Sequence, residues 1–286
     1  MKSILIIVAL ISSSYCFAQS DSSTSAETDE VPAKSTFTLG SVYSNNASYY
    51  GQRSAENTPY VALAANYRLK SGFYFTGQTF KLLNEKSSNV SAASLGVGVN
   101  FNLGENFSTD ISYSHSFFPE HSPLLQAGNA DNASITLSNN SWIKTSVTGD
   151  YAFGKSNDAF ATGEVSKDIN LFSIGKKDIV SISPSASIVA GTQHFYQTYK
   201  SQKKVRDSLL GIIKDPIFGN PPGNNDKQVE KTSFDILSYN FKLPIAYNRA
   251  NYMIEAAYQL SLISNHVDID KGKMNSFLTL SFYYQF

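Results

Sequence analysis

Residues 276–286 read SFLTLSFYYQF, and their alternation admits one kind of local structure. Leu278, Leu280, Phe282, Tyr284 and Phe286 share one parity; Phe277, Thr279, Ser281, Tyr283 and Gln285 share the other. Side chains alternate faces along a strand, so one face is apolar with aromatics at its end and the other is mostly polar. That is the division a strand needs when lipid lies outside and water or packed polar groups lie inside.

The same period recurs upstream. One parity collects Leu63, Ala65 and Tyr67; Leu95, Val97, Val99 and Phe101; Ile182 and Ile188; Leu237, Tyr239, Phe241, Leu243 and Ile245; and Ile254, Tyr258, Leu260 and Leu262. Tight connections rich in Gly, Asn and Asp interrupt it at 69–72, 104–106, 154–158, 175–178 and 248–251, where positive-φ residues close hairpins. Longer polar stretches lie at 45–57, 83–90, 119–132, 197–232 and 265–274. Short turns at one end and long loops at the other give an all-β, transmembrane, antiparallel up-and-down β-barrel with an even strand number and both termini periplasmic. Twelve strands fit, near 36–44, 58–69, 72–82, 91–103, 107–117, 133–153, 159–165, 169–174, 179–196, 233–247, 252–264 and 275–286. Ile135, Leu137, Ile143, Val147, Tyr151 and Phe153 stay in phase across SNNS at 138–141, which favours one long strand there. A hairpin at 138–141 with 159–174 fused also gives twelve. Tyr67, Phe73, Phe101, Phe107, Phe153, Tyr247, Tyr252 and Tyr284 then form the periplasmic aromatic girdle.

The ending on Phe282, Tyr284 and a terminal Phe286 resembles the C-terminal signal of bacterial outer-membrane β-barrel proteins. No narrower family is carried by the residues. The resemblance implies recognition by the barrel-insertion machinery, residence in the bacterial outer membrane as a multi-pass barrel, and contact with its lipid and lipopolysaccharide.

The other end agrees. Lys2, an apolar run over 4–11 and Cys16-Phe17-Ala18 read as a secretory signal peptide over 1–18. A lipoprotein site at Cys16 is the alternative, but Tyr15 stands where a small residue is wanted. Residues 19–35 are Ser/Thr-rich and polar, the composition of a disordered periplasmic leader. The barrel fills 36–286, with its longest external loop at 197–232. Cys16 is the one cysteine, so removal of the signal excludes disulfide, thiol and cysteine–metal chemistry. Net charge is zero, which leaves no nucleic-acid footprint.

The inward parity is small and polar: Ser94, Gly96, Gly98, Asn100 and Asn102; Ser108, Asp110, Ser112, Ser114 and Ser116; Ser181, Ser183, Ser185 and Ser187. Twelve such strands leave space inside, whereas eight are just filled by side chains. The expected function is a channel or facilitator for small polar solutes, without cofactor or metal. The alternatives are a structural or surface-interaction barrel, with Tyr60, Tyr74, Phe80 and Trp142 or an inward loop filling the lumen, and an outer-leaflet lipid hydrolase. Arg68, Asp110, Asp150, Lys242 and Glu255 are expected inside near the periplasmic end, with Lys144 and Glu164 further up. They form either a charge-selective constriction or compensating ion pairs. Residues 201–214 fit an amphipathic helix, with Lys203, Lys204 and Arg206 available to a lid or to lipopolysaccharide. Catalysis is not expected: His115 has the lipid parity, while Ser114 and Ser116 have the other.

Overall fold

The computed structural model describes residues 34–85, 90–120, 122–196, 200, 233–265, 267 and 271–286. The strands are β1 (Thr36–Ser44), β2 (Tyr60–Arg68), β3 (Phe73–Leu82), β4 (Ala92–Asn102), β5 (Phe107–Phe117), β6 (Asp131–Asn140) and β7 (Lys144–Phe153). They continue as β8 (Asp158–Ser166), β9 (Ile169–Phe172), β10 (Asp178–Ile182), β11 (Ser185–Gly191), β12 (Asp235–Arg249), β13 (Tyr252–Ile263) and β14 (Met274–Gln285). Neighbours pair antiparallel from β1 round to β8, then β8 with β11, β11 with β12, and on to β14. β14 returns to β1, from Thr38 opposite Gln285 to Ser44 opposite Thr279. The Phe286 amide adds a last bond to the Phe37 carbonyl, 2.9 Å away.

Fourteen strands make twelve staves. β10 and β11 both pair with β12, on successive stretches. They are one stave broken at Ser183-Pro184, because Pro184 has no N–H for the ladder. Facing the break, β8 and β9 are a second interrupted stave, bridged where the Lys167 amide donates to the Pro184 carbonyl at 3.2 Å.

The connections at 69–72, 103–106, 141–143, 173–177 and 250–251 lie at one end with both strand-bearing termini, here the turn end. Those at 45–59, 83–91, 118–130, 154–157, 192–234 and 264–273 lie at the other, the loop end. The middle of the chain therefore follows the alternative pairing, not the long strand over 133–153. Asn140 pairs with Lys144 across three residues. An odd-length turn keeps the two strands in phase, so continuity of the pattern does not exclude a hairpin. Two placements change as a result. The 154–158 turn belongs to the loop end, and Phe153 packs there near Tyr113 and Tyr151 at 6.5 and 5.7 Å between ring centres.

The outward parity is apolar over the whole circumference, with Leu63, Leu95, Val97, Val147, Phe241 and Ile254 all exposed. Aromatic side chains flank this band at both ends: Tyr67, Phe73, Phe101, Phe107 and Tyr252 toward the turns, and Tyr113, Phe117 and Tyr151 toward the loops. A ring with every neighbour paired and an apolar outer wall satisfies the two demands of a bilayer, internal backbone pairing and lipid contact. Leu237 departs from its expected lipid face. The register slips between Val189 and Ala190 opposite it, and this bulge turns Leu237 inward, where it is fully buried.

Val97 lies in the middle of β4 on the outer face. Val97→Arg is expected to lower barrel stability by about 2–4 kcal/mol, the cost of a cation at the bilayer midplane. Urea titration of refolding into liposomes measures it, and an unchanged midpoint contradicts the lipid-facing assignment.

Candidate functional site

Even-numbered positions on β1–β8 and odd-numbered positions on β13 and β14 face inward. The wall is thin where glycine and aromatic residues meet across strands. A Cβ on Gly40 would sit 2.8 Å from the Tyr283 ring, and one on Gly98 would overlap the Tyr74 ring outright. Both rings thus lie flat against the wall in place of projecting across the lumen. Tyr60, Tyr74 and Phe80 are inward as expected. Trp142 is not: it lies in the 141–143 turn, 78% exposed, with the Lys167 ammonium 3.6 Å above its ring.

The inward charges fall into mixed-sign groups. The Arg68 guanidinium lies 5.5 Å from the Tyr74 ring centre, and the Tyr74 hydroxyl donates to Asp110 at 2.7 Å. Lys144 bridges to Asp168 at 2.9 Å, and the Ser183 hydroxyl donates to the same carboxylate at 2.6 Å. The Lys242 ammonium is 4.0 Å from Glu255, with Glu164 also within its electrostatic reach. Lys144 follows the 141–143 turn, so it stands at the turn end, and Asp150 stands at the loop end. These two exchange their expected heights, again because of the β6–β7 hairpin. Lys203, Lys204 and Arg206 lie outside the described residues, as do residues 1–33 and all but residue 200 of the 197–232 loop.

Among the described residues, a loop whose composition reads as solvated enters the lumen. Residues 45–59 fold inward. Tyr49 and Gln52 exchange backbone bonds of 2.7 and 3.0 Å around a tip at Tyr50 and Gly51. Both tip residues have positive φ, 52° and 81°, as a tight hairpin of this twist requires. Gly51 has no room for a side chain, since a Cβ would lie 2.7 Å from the Ser238 hydroxyl. The Tyr50 ring stacks on Phe160 at 4.0 Å, and its hydroxyl donates to Asp150 at 3.0 Å. The Ser238 hydroxyl donates to the Tyr50 carbonyl at 2.7 Å, and the Asn275 amide to the Gly51 carbonyl at 3.1 Å. Asp150 is on β7, six staves from β1 in either direction round the ring. The tip therefore crosses the lumen to the opposite wall.

A second inward segment braces the first. Residues 118–130 bring Leu124, Leu125, Gln126 and Ala127 into the barrel, all buried. Leu124 joins the buried apolar cluster that holds Val42, Tyr60, Phe80 and Leu82, and Leu125 the one that holds Tyr49, Tyr50, Phe160 and Phe195. Asp158, at the start of β8, ties this segment to the next. Its fully buried carboxylate accepts from the Asn129 amide (3.0 Å), the Thr192 hydroxyl (2.7 Å) and the backbone amides of His194 and Phe195 (2.7 and 3.0 Å). Acceptance of free amides at the start of a helical turn is a helix-capping arrangement. Sequence reasoning missed these plug residues, although apolar pairs at Tyr49-Tyr50 and Leu124-Leu125 inside polar loops are a signal for them.

On the outer face, His115 Nδ1 lies 2.7 Å from Asp131, to which the Tyr113 hydroxyl donates at 2.5 Å. Ser114 and Ser116 are buried on the lumen side, as their parity requires.

No protein-family model and no curated protein matches the chain. Among solved structures it is similar to a KdgM porin, at 8% identity over 87% of this chain and 99% of that one, with a TM-score of 0.49. It is also similar to the COG4313 outer membrane channel from Pseudomonas putida F1 (10% identity, 93% and 100% covered, TM-score 0.46). A third is LpxR from Salmonella typhimurium (8%, 87% and 99%, 0.43). Likeness at this level leaves the fold to be judged from the strand pairing itself and the function from this chain's own residues.

Asp158→Ala orphans several buried donors, each costing about 1–3 kcal/mol. Segments 118–130 and 192–196 are expected to become protease-sensitive while the strands stay folded, with Asp158→Asn less affected. Limited proteolysis of the refolded barrel checks this; a cleavage pattern identical to wild type contradicts the role assigned to Asp158.

Proposed function

We propose that the protein is a bacterial outer-membrane channel for small polar solutes, shut at its loop end by the 45–59 loop. The observation that carries the reading is where the lumen is filled. Around the middle of the barrel, on β5 to β8 and β12, Ser112, Thr136, Thr148, Glu164 and Lys242 are only half-buried on the inner wall. Toward the loop end two inward loop segments fill the space left between wall side chains such as Tyr60, Phe80, Phe160 and Leu237. A barrel serving as a solid strut would fill its interior with its own strand side chains. A loop is different: apart from Asn45 and Pro59 at its ends, residues 45–59 make no backbone bond to a barrel strand, so withdrawal of 46–58 breaks no ladder.

The turn end then faces the periplasm and the loop end the exterior, with export by the signal peptide at 1–18. Phe282, Tyr284 and Phe286 serve the insertion machinery, and the apolar band meets outer-membrane lipid and lipopolysaccharide. The mixed-sign groups at Arg68/Asp110, Lys144/Asp168 and Lys242/Glu255/Glu164 favour little preference between cations and anions. The reading assigns no catalysis, since the histidine at 115 and the flanking serines face opposite sides of the wall.

Tyr50→Ala removes the bond to a buried carboxylate and a stacked ring. These are interactions of about 1.5–3 and 0.5–1.5 kcal/mol respectively, enough to shift the closed–open balance at least about tenfold. In planar bilayers the variant, or one with 49–52 replaced by Gly and Ser, is expected to give sustained conductance steps where the intact protein gives rare ones. Silence from all of them, with the barrel folded, overturns the channel reading in favour of a structural barrel.

A further inference from the structure

The inner wall carries a strip of buried polar side chains, most of them without hydrogen-bond partners among the described residues. Gln78, Ser94 and Ser116 stand side by side in register on β3, β4 and β5. Two residues along β5, Ser114 pairs with Asn132 of β6. All five face inward and are buried. Gln78 Oε1, the Ser114 and Ser116 hydroxyls, and both amide atoms of Asn132 have no hydrogen-bond partner among the described residues. At the centre of the strip Gly96 lets its neighbours draw close, the Thr76 hydroxyl and Ser114 lying 2.6 and 3.3 Å from where a Cβ would stand.

Buried polar groups in a folded protein are normally paired, so a run of orphans on adjacent strands marks a surface with another use. The chemistry of that use follows from the side chains. Hydroxyls and a carboxamide donate and accept, and none carries charge. The inward charges next to the strip are mainly carboxylates: Asp150, opposite Ser134 on β7; Asp158, beyond Ala152 in the row of Asn132; and Asp110, four residues along β5 from Ser114, which alone has a cation, Arg68, nearby. An anion would be repelled there, and a desolvated charge of either sign would find no counter-ion among the five residues. Asp150 is engaged by the Tyr50 hydroxyl and Asp110 by that of Tyr74.

We propose that Gln78, Ser94, Ser114, Ser116 and Asn132 form a recognition strip for a small neutral polyhydroxylated solute, which binds when the plug withdraws and so favours the open state. This rests on the channel reading above and names its solute class. The coupling is mutual: a solute that satisfies groups orphaned in the closed state binds the open state better, and so shifts the population toward it.

The test is equilibrium dialysis of radiolabelled glucose, maltose and glycerol, with gluconate as the anionic comparison. It uses the refolded barrel in detergent, both wild type and the plug-weakened Tyr50→Ala variant. The expected result is saturable binding of at least one neutral probe, about tenfold tighter in Tyr50→Ala. Ser114→Ala/Ser116→Ala, which removes two hydroxyls without adding bulk, is expected to weaken that binding about tenfold. Asn132→Leu is expected to do so as well, with the double alanine variant standing if the leucine variant fails to fold. No saturable binding of any neutral probe by Tyr50→Ala, equal binding of gluconate, or affinity unchanged in the folded double variant each overturns the proposal. Binding in detergent needs no conduction, so a barrel that binds without conducting sinks only the channel reading. One that conducts without binding sinks only this one.

Discussion

Everything in this molecule follows from the closure of β14 onto β1. A sheet edge in hydrocarbon leaves amides and carbonyls without partners, and the bilayer offers none. Closure removes the edge, and it also fixes what each side chain sees. With the ring complete, one parity must meet lipid and the other must meet whatever fills the lumen. Leu278, Leu280 and Phe282 lie on the first side, and Thr279, Ser281 and Tyr283 on the second, because the strand has no third option.

The lumen is where the protein's choices lie. Toward the turn end the wall supplies serines, threonines and charged groups of opposite sign. Toward the loop end two segments fold in and bury Leu124 in one apolar cluster with the wall and Tyr49, Tyr50 and Leu125 in another. The segments are held by directional contacts to carboxylates on the wall, Asp150 for the first and Asp158 for the second. A positive-φ tyrosine at the hairpin tip is an uncommon conformation. It is compensated by the stack on Phe160 and the bond to Asp150. Such a closure is stable yet separable from the barrel, since between its anchored ends at Asn45 and Pro59 the first segment makes no backbone bond to a strand.

Much of the architecture was legible from periodicity. The parity of β4, β5, β13 and β14 reads directly from the chain, and so do four of the five turn-end hairpins, each carrying Gly or Asn. The β6–β7 hairpin escaped because its three-residue turn, Ser141 to Ile143, holds no glycine and preserves phase. Leu237 escaped because a bulge in one strand is silent in a two-residue period. The inward loops escaped for a different reason. Loop composition reports average polarity, whereas the fate of Tyr49 and Tyr50 is decided by partners 100 residues or more away in sequence, Asp150 and Ser238 among them. The parity of the charged residues was readable in the chain, but their heights and their pairing, such as Lys144 with Asp168, depend on which staves adjoin.

The central claim is that the first loop crosses the lumen and seats its tip against the far wall. A double-mutant cycle tests it directly. Tyr50→Phe keeps the stacked ring and removes the hydroxyl that reaches Asp150 on β7, and Asp150→Ala removes the acceptor. Residues in contact show a coupling that distant ones lack. Each single replacement should speed proteolytic cleavage within 45–59 of the refolded barrel, and the double should speed it no more than either alone. Additive effects of the two replacements would contradict the account.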